Sequence, residues 1–264
     1  MSSCVVEKIV VKTWHRPSIP AELLTNQYGF RPTGSTTAAL IQLFHSITRM
    51  LESCSYVRAL LIDFTKAFDI VDHTVIMSKL AKLQLPGNIY NWIGAFLSNR
   101  DQICRYRGFV SKSNTCNRGF VQNSGLGPTL FVVLTLDLNT VSNYNVIVEF
   151  ADDSTLLVPE NSDVGVEMEF NNVQEWAGNN TIILNLIKTK ELIFHNPKAR
   201  TCHSNLPVLL NIKRVTSAKL RGIYIQNNFS CDIHFNHIMT VSSQRLHILK
   251  ILKRQGLSLS LIHI

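Results

Sequence analysis

Two adjacent carboxylates, Asp152 and Asp153, stand between the apolar runs Val146-Ile147-Val148 with Phe150 on one side and Leu156-Leu157-Val158 on the other. Neighbouring charges persist at the rim of an apolar core if they face water, or if a divalent cation neutralises them. An isolated Asp-Asp pair in a turn is usually the solvated kind, because Asp bonds its own backbone there. A second carboxylate delivered in the same way shifts the balance toward chemistry. Ala59-Leu60-Leu61-Ile62 is a continuous apolar run that ends at Asp63, with Phe64, Ala67, Phe68 and Asp69 after it.

These carboxylates need strands to position them. β-branched and aromatic runs on both sides of Asp152-Asp153 predict a hairpin with the acids at or beside its turn, and residues 59–62 predict a buried strand exiting at Asp63. Around them, Ser35 is a plausible N-cap for an amphipathic helix to about Glu52, with Leu40, Leu43, Phe44, Ile47 and Leu51 at helical spacing. A short helix is expected from about Thr65. Ile76, Leu80 and Leu83 form one helical face closed by Pro86-Gly87, and Ile89, Trp92, Ile93, Phe96 and Leu97 form another. Residues 103–122 read as two strands, 129–138 as an apolar helix, and the Met168 to Ala177 stretch as a helix ended by Asn179-Asn180. Leu220 to Ile225 reads as a strand and Ile233 to Leu252 as helix. Pro17 and Pro20 suggest an irregular start, followed by a turn at residues 26–32 that exposes Arg31. Strands and helices interleave without a regular βαβ repeat, which favours an α+β fold with an antiparallel sheet.

The chain has 264 residues, 45% of them hydrophobic, enough for a sizeable core. No apolar run approaches the roughly 18 residues of a membrane span, and Glu7, Lys8 and Lys12 spoil a secretory signal. The six cysteines form no CxxC pair, so free thiols in an intracellular compartment are expected. A net charge of +8 is compatible with a polyanionic partner. Arg100, Arg105, Arg107, Lys112 and Arg118 cluster, with Tyr106 and Phe109 among them, opposed only by Asp101; a phosphate track and a solvated face are equally consistent with that.

Read jointly and in order, Gln27-Tyr28-Gly29-Phe30-Arg31, Leu61-Ile62-Asp63-Phe64-Thr65-Lys66-Ala67-Phe68-Asp69, Gln122-Asn123-Ser124-Gly125-Leu126-Gly127-Pro128, Phe150-Ala151-Asp152-Asp153 and Asn185 with Lys188-Thr189-Lys190 resemble the reverse transcriptase of non-LTR (LINE-like) retrotransposons. The resemblance runs from about Gln27 to Arg254. It implies an α+β right-hand polymerase with an antiparallel palm sheet packed on helices. Residues 1–26 would be an irregular N-terminal segment, 27–230 partial fingers and palm, and 231–264 the start of a partial thumb, with truncation at both ends.

The resemblance also implies roles. Asp63, Asp152 and Asp153 would hold two Mg²⁺ ions, with Mn²⁺ a possible substitute; hard oxygen ligands suit them, and ions about 3.5 to 4 Å apart can stabilise both attacking and leaving oxygens. Lys188 would assist the departing pyrophosphate. Arg31, Phe68, Gln122, Asn123, Ser124 and Gly125 would contact the deoxynucleotide, Phe68 by excluding a ribose 2′-hydroxyl; spacing alone makes Phe68 equally a core aromatic. Asn123 stands where the family usually has glycine, and asparagine is among the residues that best tolerate a positive φ. Arg221 precedes Gly222 where the family usually has leucine, placing a charge in an expected strand. The implied partners are an RNA template, a DNA primer and deoxynucleoside triphosphates, with no membrane.

Other readings stay open. The chain is alternatively a catalytically inactive retroelement remnant that at most binds nucleic acid. A metal-dependent phosphohydrolase would explain the acids but not the ordered motifs. Cys231, His234 and His237 are a weak zinc set, lacking a fourth ligand. Asp72-His73 reads better as a structural polar contact than as an acid/base pair.

Overall fold

The computed structural model of the protein describes residues 2–31, 33–196 and 206–256, and it divides into two compact units between Arg214 and Val215. The larger unit begins with helix α1 (Ser2–Val10) and short helical turns over Val11–His15, Arg16–Ser18 and Ala21–Leu24, then helix α2 (Thr36–Leu51) and strand β1 (Tyr56–Ile62). Helices α3 (Ala67–Ile70), α4 (His73–Leu80) and α5 (Gly87–Leu97) precede four short strands, β2 (Arg100–Gln102), β3 (Arg105–Tyr106), β4 (Phe109–Val110) and β5 (Asn114–Cys116). Helix α6 (Gly127–Thr135), strands β6 (Val146–Phe150) and β7 (Asp153–Pro159), helix α7 (Val166–Asn179) and strands β8 (Lys190–His195) and β9 (Lys213–Arg214) complete it.

The central sheet has the order β6-β7-β1-β8-β9, antiparallel except for the β8–β9 pair. Side chains alternate across it. Leu60 and Ile62 of β1, Leu156 and Val158 of β7 and Ile147 of β6 join one apolar cluster with Ile76 and Leu80 of α4, Ile93 of α5, Phe131 of α6 and Val173 of α7. Helix α2 packs against β6, β7 and β1, bringing buried Ala39, Leu43 and Ile47, which lie outside that cluster. Helices therefore cover both faces, and β1 is buried along nearly its whole length. Helix α2 starts as its sequence indicates: the Ser35 hydroxyl accepts from the Ala38 amide at 3.0 Å, satisfying a first-turn donor. Within the sheet, the buried Glu191 carboxylate is held between Arg58 at 2.5 Å and Arg214 at 2.8 Å. Removing either guanidinium would leave a buried charge short of a partner.

Several local expectations are corrected. The stretch before residue 27 is largely helical rather than irregular: Pro17 falls at the start of a helical turn, where its missing amide is no loss, and Val10, Val11 and Ile19 enter the core. Arg31 is half-buried, not exposed. Residues 100–116 form four short strands in a two-tier ribbon in place of two longer strands over 103–122, because Arg107 (φ 47°) and Gly108 (φ 84°) turn the chain early.

The smaller unit holds strands β10 (Ser217–Leu220) and β11 (Ile223–Gln226) and helix α8 (Asp232–Arg254). Arg221 (φ 48°) and Gly222 (φ 91°) form the tight turn between β10 and β11, so Arg221 does not enter a strand. Helix α8 is tied to this hairpin by Gln226, which accepts from the Ile233 amide at 3.0 Å, and by the Tyr224 ring, 5.1 Å from that of His237. Hairpin and helix form one unit, and the division falls after Arg214 where the sequence suggested 230. Among the described residues, no helix is long and apolar enough to cross a membrane.

Candidate active site at the carboxylate end of the sheet

Antiparallel pairing sets Ile62, the last residue of β1, opposite Ser154 of β7. One step further, Asp63 comes level with Asp153, the first residue of β7, and Asp152 shares the β6–β7 turn with Ala151. Residues remote in sequence thus arrive at neighbouring strand ends. Asp152 is exposed, while Asp153 and Asp63 are half-buried. The Oδ2 atom of Asp63 is buried and accepts no hydrogen bond, and its nearest cation is the Lys188 ammonium at 4.0 Å. A shielded carboxylate oxygen with spare acceptor capacity fits a hard divalent cation. Among the described residues no three His, Cys, Asp or Glu side chains are grouped closely enough to form a metal cluster. The acids meet at one sheet end without closing into a cage.

The Asn185–Thr189 loop is fastened to the exit of β1. Asn185 donates its amide to the Asp63 carbonyl at 2.8 Å, and the Asp63 amide donates to the Thr189 hydroxyl at 3.3 Å. The Asn185 side chain accepts from the Lys188 amide at 3.2 Å, turning the loop so that the lysine reaches Asp63.

The β6–β7 turn is held from behind by the 26–29 segment. Ala151 adopts φ 55°, unfavourable for a residue with a Cβ, and its amide donates to Gln27 Oε1 at 3.1 Å. The same oxygen accepts from the Gly29 amide at 2.7 Å. A Cβ on Gly29 would sit 2.3 Å from the Ala151 nitrogen, so only glycine lets the two backbones approach this closely. Gln27 is itself buried, donating to Glu149 at 3.0 Å and to the Thr135 hydroxyl at 3.3 Å. Burial pushes the Glu149 carboxyl up to about 8, so it is protonated at neutral pH.

The remaining sequence-selected residues make contacts of their own, apart from the acids. Phe30 meets Phe68 edge-on at 6.1 Å, and Phe68 stacks on Phe131 at 4.5 Å and touches Phe120 at 6.1 Å. Phe68 is thus a half-buried aromatic at the edge of the core. Next to it, Asp69 accepts from Gln122 at 2.9 Å. Asn123 has φ 61°, the positive value that asparagine tolerates. The Ser124 hydroxyl accepts from the Gly127 amide at 2.9 Å, starting α6, and Gly125 donates its amide to the buried Glu7 of α1 at 2.8 Å. Arg31 turns the other way, donating to the Leu24 carbonyl at 2.6 Å with its guanidinium 4.6 Å from the Tyr28 ring.

Sequence reasoning passed over Glu7, Glu149 and the structural parts of Gln27 and Gly29. A Glu inside an otherwise apolar strand, as in Val146-Ile147-Val148-Glu149-Phe150, was a signal available for one of them. The Asp72-His73 pair is structural, as its sequence suggested: Asp72 caps α4 through the Thr74 amide at 2.8 Å, and His73 lies 2.8 Å from the Gly119 carbonyl. In the smaller unit His234 accepts from the Tyr224 amide at 3.4 Å.

The family model described as reverse transcriptase (RNA-dependent DNA polymerase) matches residues 3–231. A probable RNA-directed DNA polymerase from transposon BS of Drosophila melanogaster is 32% identical over 143 residues, covering 52% of this chain and 16% of its own length. The RNA-directed DNA polymerase from the mobile element jockey of the same species is 27% identical over 226 residues, 80% of this chain and 24% of its own. This chain therefore spans about a quarter or less of those relatives. Among solved structures, telomerase of Candida tropicalis with a fragment of telomeric RNA superposes with a TM-score of 0.60 at 9% identity, over 86% of this chain and 37% of that one. At such identity the likeness is one of fold, that of an α+β polymerase.

Proposed function

Because the chain belongs to the reverse transcriptase family, we propose that it is the RNA-directed DNA polymerase domain of a LINE-like element, joining deoxynucleotides to a primer 3′-hydroxyl on an RNA template. The observation that carries this reading is the arrival of Asp63 and Asp153 at adjacent strand ends beside Asp152, with a buried oxygen on Asp63 that accepts no hydrogen bond. We assign the larger unit to fingers and palm and the smaller to the beginning of a thumb, with an intracellular setting.

In the reaction, the primer 3′-oxygen bonds to the α-phosphorus, the bridging bond to the β-phosphate breaks, and pyrophosphate leaves. Asp63, Asp152 and Asp153 are the residues that would hold Mg²⁺ or Mn²⁺, which when bound lowers the charge barrier at the attacking and leaving oxygens. Lys188, beside Asp63, supplies a positive charge or a proton to the pyrophosphate. Phe68, braced by Phe131, presents its edge to the sugar and excludes a 2′-hydroxyl. Gln122 to Gly125 offer a backbone turn that a nucleotide can approach closely.

Primer extension on poly(rA)/oligo(dT) with Mg²⁺ and with Mn²⁺, run beside Asp152→Ala, tests the proposal. Extension that the substitution abolishes supports it; folded protein that extends nothing with either ion rejects it. A second reading, an inactive remnant that only binds nucleic acid, is favoured by the commitment of Arg31 to the Leu24 carbonyl. Salt-sensitive RNA binding without extension would select it.

A further inference from the structure

The ribbon formed by β2 to β5 stands off the body of the larger unit: every residue from 101 to 115 is exposed. At its base Arg100 to Gln102 pair with Asn114 to Cys116, and at its tip Arg105 and Tyr106 pair with Val110 and Phe109. Ser111 bridges the two tiers, its amide donating to the Cys104 carbonyl and its hydroxyl accepting from the Cys104 amide, both at 2.9 Å. Two-stranded ribbons are marginal in water on their own, and this one sets two aromatic rings in solvent. Tyr106 and Phe109 are directly opposite each other, so they share one face of the ribbon, 66% and 81% exposed. The Arg107 guanidinium lies 5.3 Å from the Tyr106 ring.

Charge narrows the choice of partner. Within residues 100–118 the cations Arg100, Arg105, Arg107, Lys112 and Arg118 outnumber the single acid Asp101, whose carboxylate is engaged by the Thr115 hydroxyl at 2.9 Å. Arg118, at the base, also lies 3.9 Å from the Asp72 carboxylate, which leaves Arg105, Arg107 and Lys112 as the cations of the exposed arm. The ribbon's base opens onto a cavity of about 590 Å³ whose lining includes Arg100, Gln102, Arg118 and Gln122, so the arm is continuous with the loop assigned to the nucleotide. Cations favour a polyanion, and bare aromatic faces favour bases that are not already stacked in a duplex.

We propose that this arm is a stacking platform for single-stranded nucleic acid, taking unpaired bases on Tyr106 and Phe109 and their phosphates on Arg105 and Arg107. The inference deepens the polymerase reading and rests on it for the direction of the strand, toward Gln122.

The test uses the full chain and fluorescence anisotropy with labelled single-stranded RNA, single-stranded DNA and blunt RNA duplex of equal length, across a KCl series. Tyr106→Ala with Phe109→Ala should weaken single-strand binding about tenfold or more while leaving the duplex and the salt slope unchanged. Arg105→Gln with Arg107→Gln should lower the log–log salt slope by about 0.7 for each phosphate that is no longer neutralised. All four positions are exposed, and unchanged thermal unfolding verifies that the variants fold. Single-strand affinity indifferent to both pairs overturns the proposal, as does an equal loss of duplex binding. Loss of self-association in sedimentation with RNA binding intact overturns it in favour of a second copy. Parallel primer extension separates the two claims: a chain that extends primers yet ignores these changes loses only the arm, whereas one that extends nothing but loses single-strand binding keeps the arm and loses the polymerase.

Discussion

Gln27 holds Ala151 in a left-handed conformation: the carboxamide oxygen of one accepts the amide hydrogen of the other at 3.1 Å, with Ala151 at φ 55°. The turn that carries Asp152 is set by a residue far away in the chain, and its geometry responds to changes that touch no carboxylate.

Gln27→Ala leaves the amides of Gly29 and Ala151 without their acceptor and should destabilise the fold by about 1–3 kcal/mol. Gly29→Ala should be at least as damaging, since its Cβ would lie 2.3 Å from backbone rather than from a flexible side chain. Urea unfolding measures both, and primer extension should fall further than the lost stability explains. Full extension by a folded Gly29→Ala variant would show that the turn does not need this support.

Lys188 is exposed and its ion pair with Asp63 is long, so the pair contributes little to stability. Lys188→Ala should leave the melting temperature unchanged and lower kcat about 10²- to 10⁴-fold. Lys188→Arg keeps the charge but is a poor proton donor. Activity retained by arginine assigns electrostatic help; activity lost with both assigns proton transfer.

Glu149 gives stability a pH dependence of known sign. Its carboxyl, with an ordinary value of 4.5, is raised to about 8 by burial. Across that window the unfolded chain has released a proton that the folded chain keeps, so its contribution is full below 4.5, declines as pH rises and levels off above 8. Glu149→Gln is neutral and preserves an acceptor for Gln27. The variant should match the parent near pH 4.5 and exceed it at pH 8 by about 1–3 kcal/mol. Thermal melts at several pH values suffice, and parallel curves would show that Glu149 does not carry this proton.

Glu7 accepts the Gly125 amide from a helix that precedes every motif of the site. Glu7→Ala should raise KM for the deoxynucleotide several-fold by loosening the loop, with a stability loss of about 1–3 kcal/mol. Glu7→Gln retains an acceptor oxygen and should restore KM. Identical KM values in all three proteins would confine Glu7 to a structural part.

Much of this arrangement was legible in the sequence where pattern is local. The run ending at Asp63, the apolar stretches around Asp152, the Ser35 cap and the Asn179-Asn180 stop are read within a few residues. What escaped depends on distance or on turn chemistry. Nothing near Gln27 announces Glu149, and nothing near Glu7 announces Gly125, because a buried hydrogen bond leaves no periodicity in either segment. Arg221-Gly222 and Arg107-Gly108 read through as strand because an arginine at positive φ is uncommon, although the glycine after each is the clue. The proline-containing start misleads because proline also opens helical turns.

Strand β1 is laddered on both edges, to β7 and to β8. One added or deleted residue between Tyr56 and Ile62 would reverse every following side chain with respect to two partners at once, sending Asp63 to the wrong side. The length of that strand is therefore fixed by two neighbours, whereas the arm from Arg100 to Cys116, whose ladders run only within itself, can change length without disturbing the register of the central sheet.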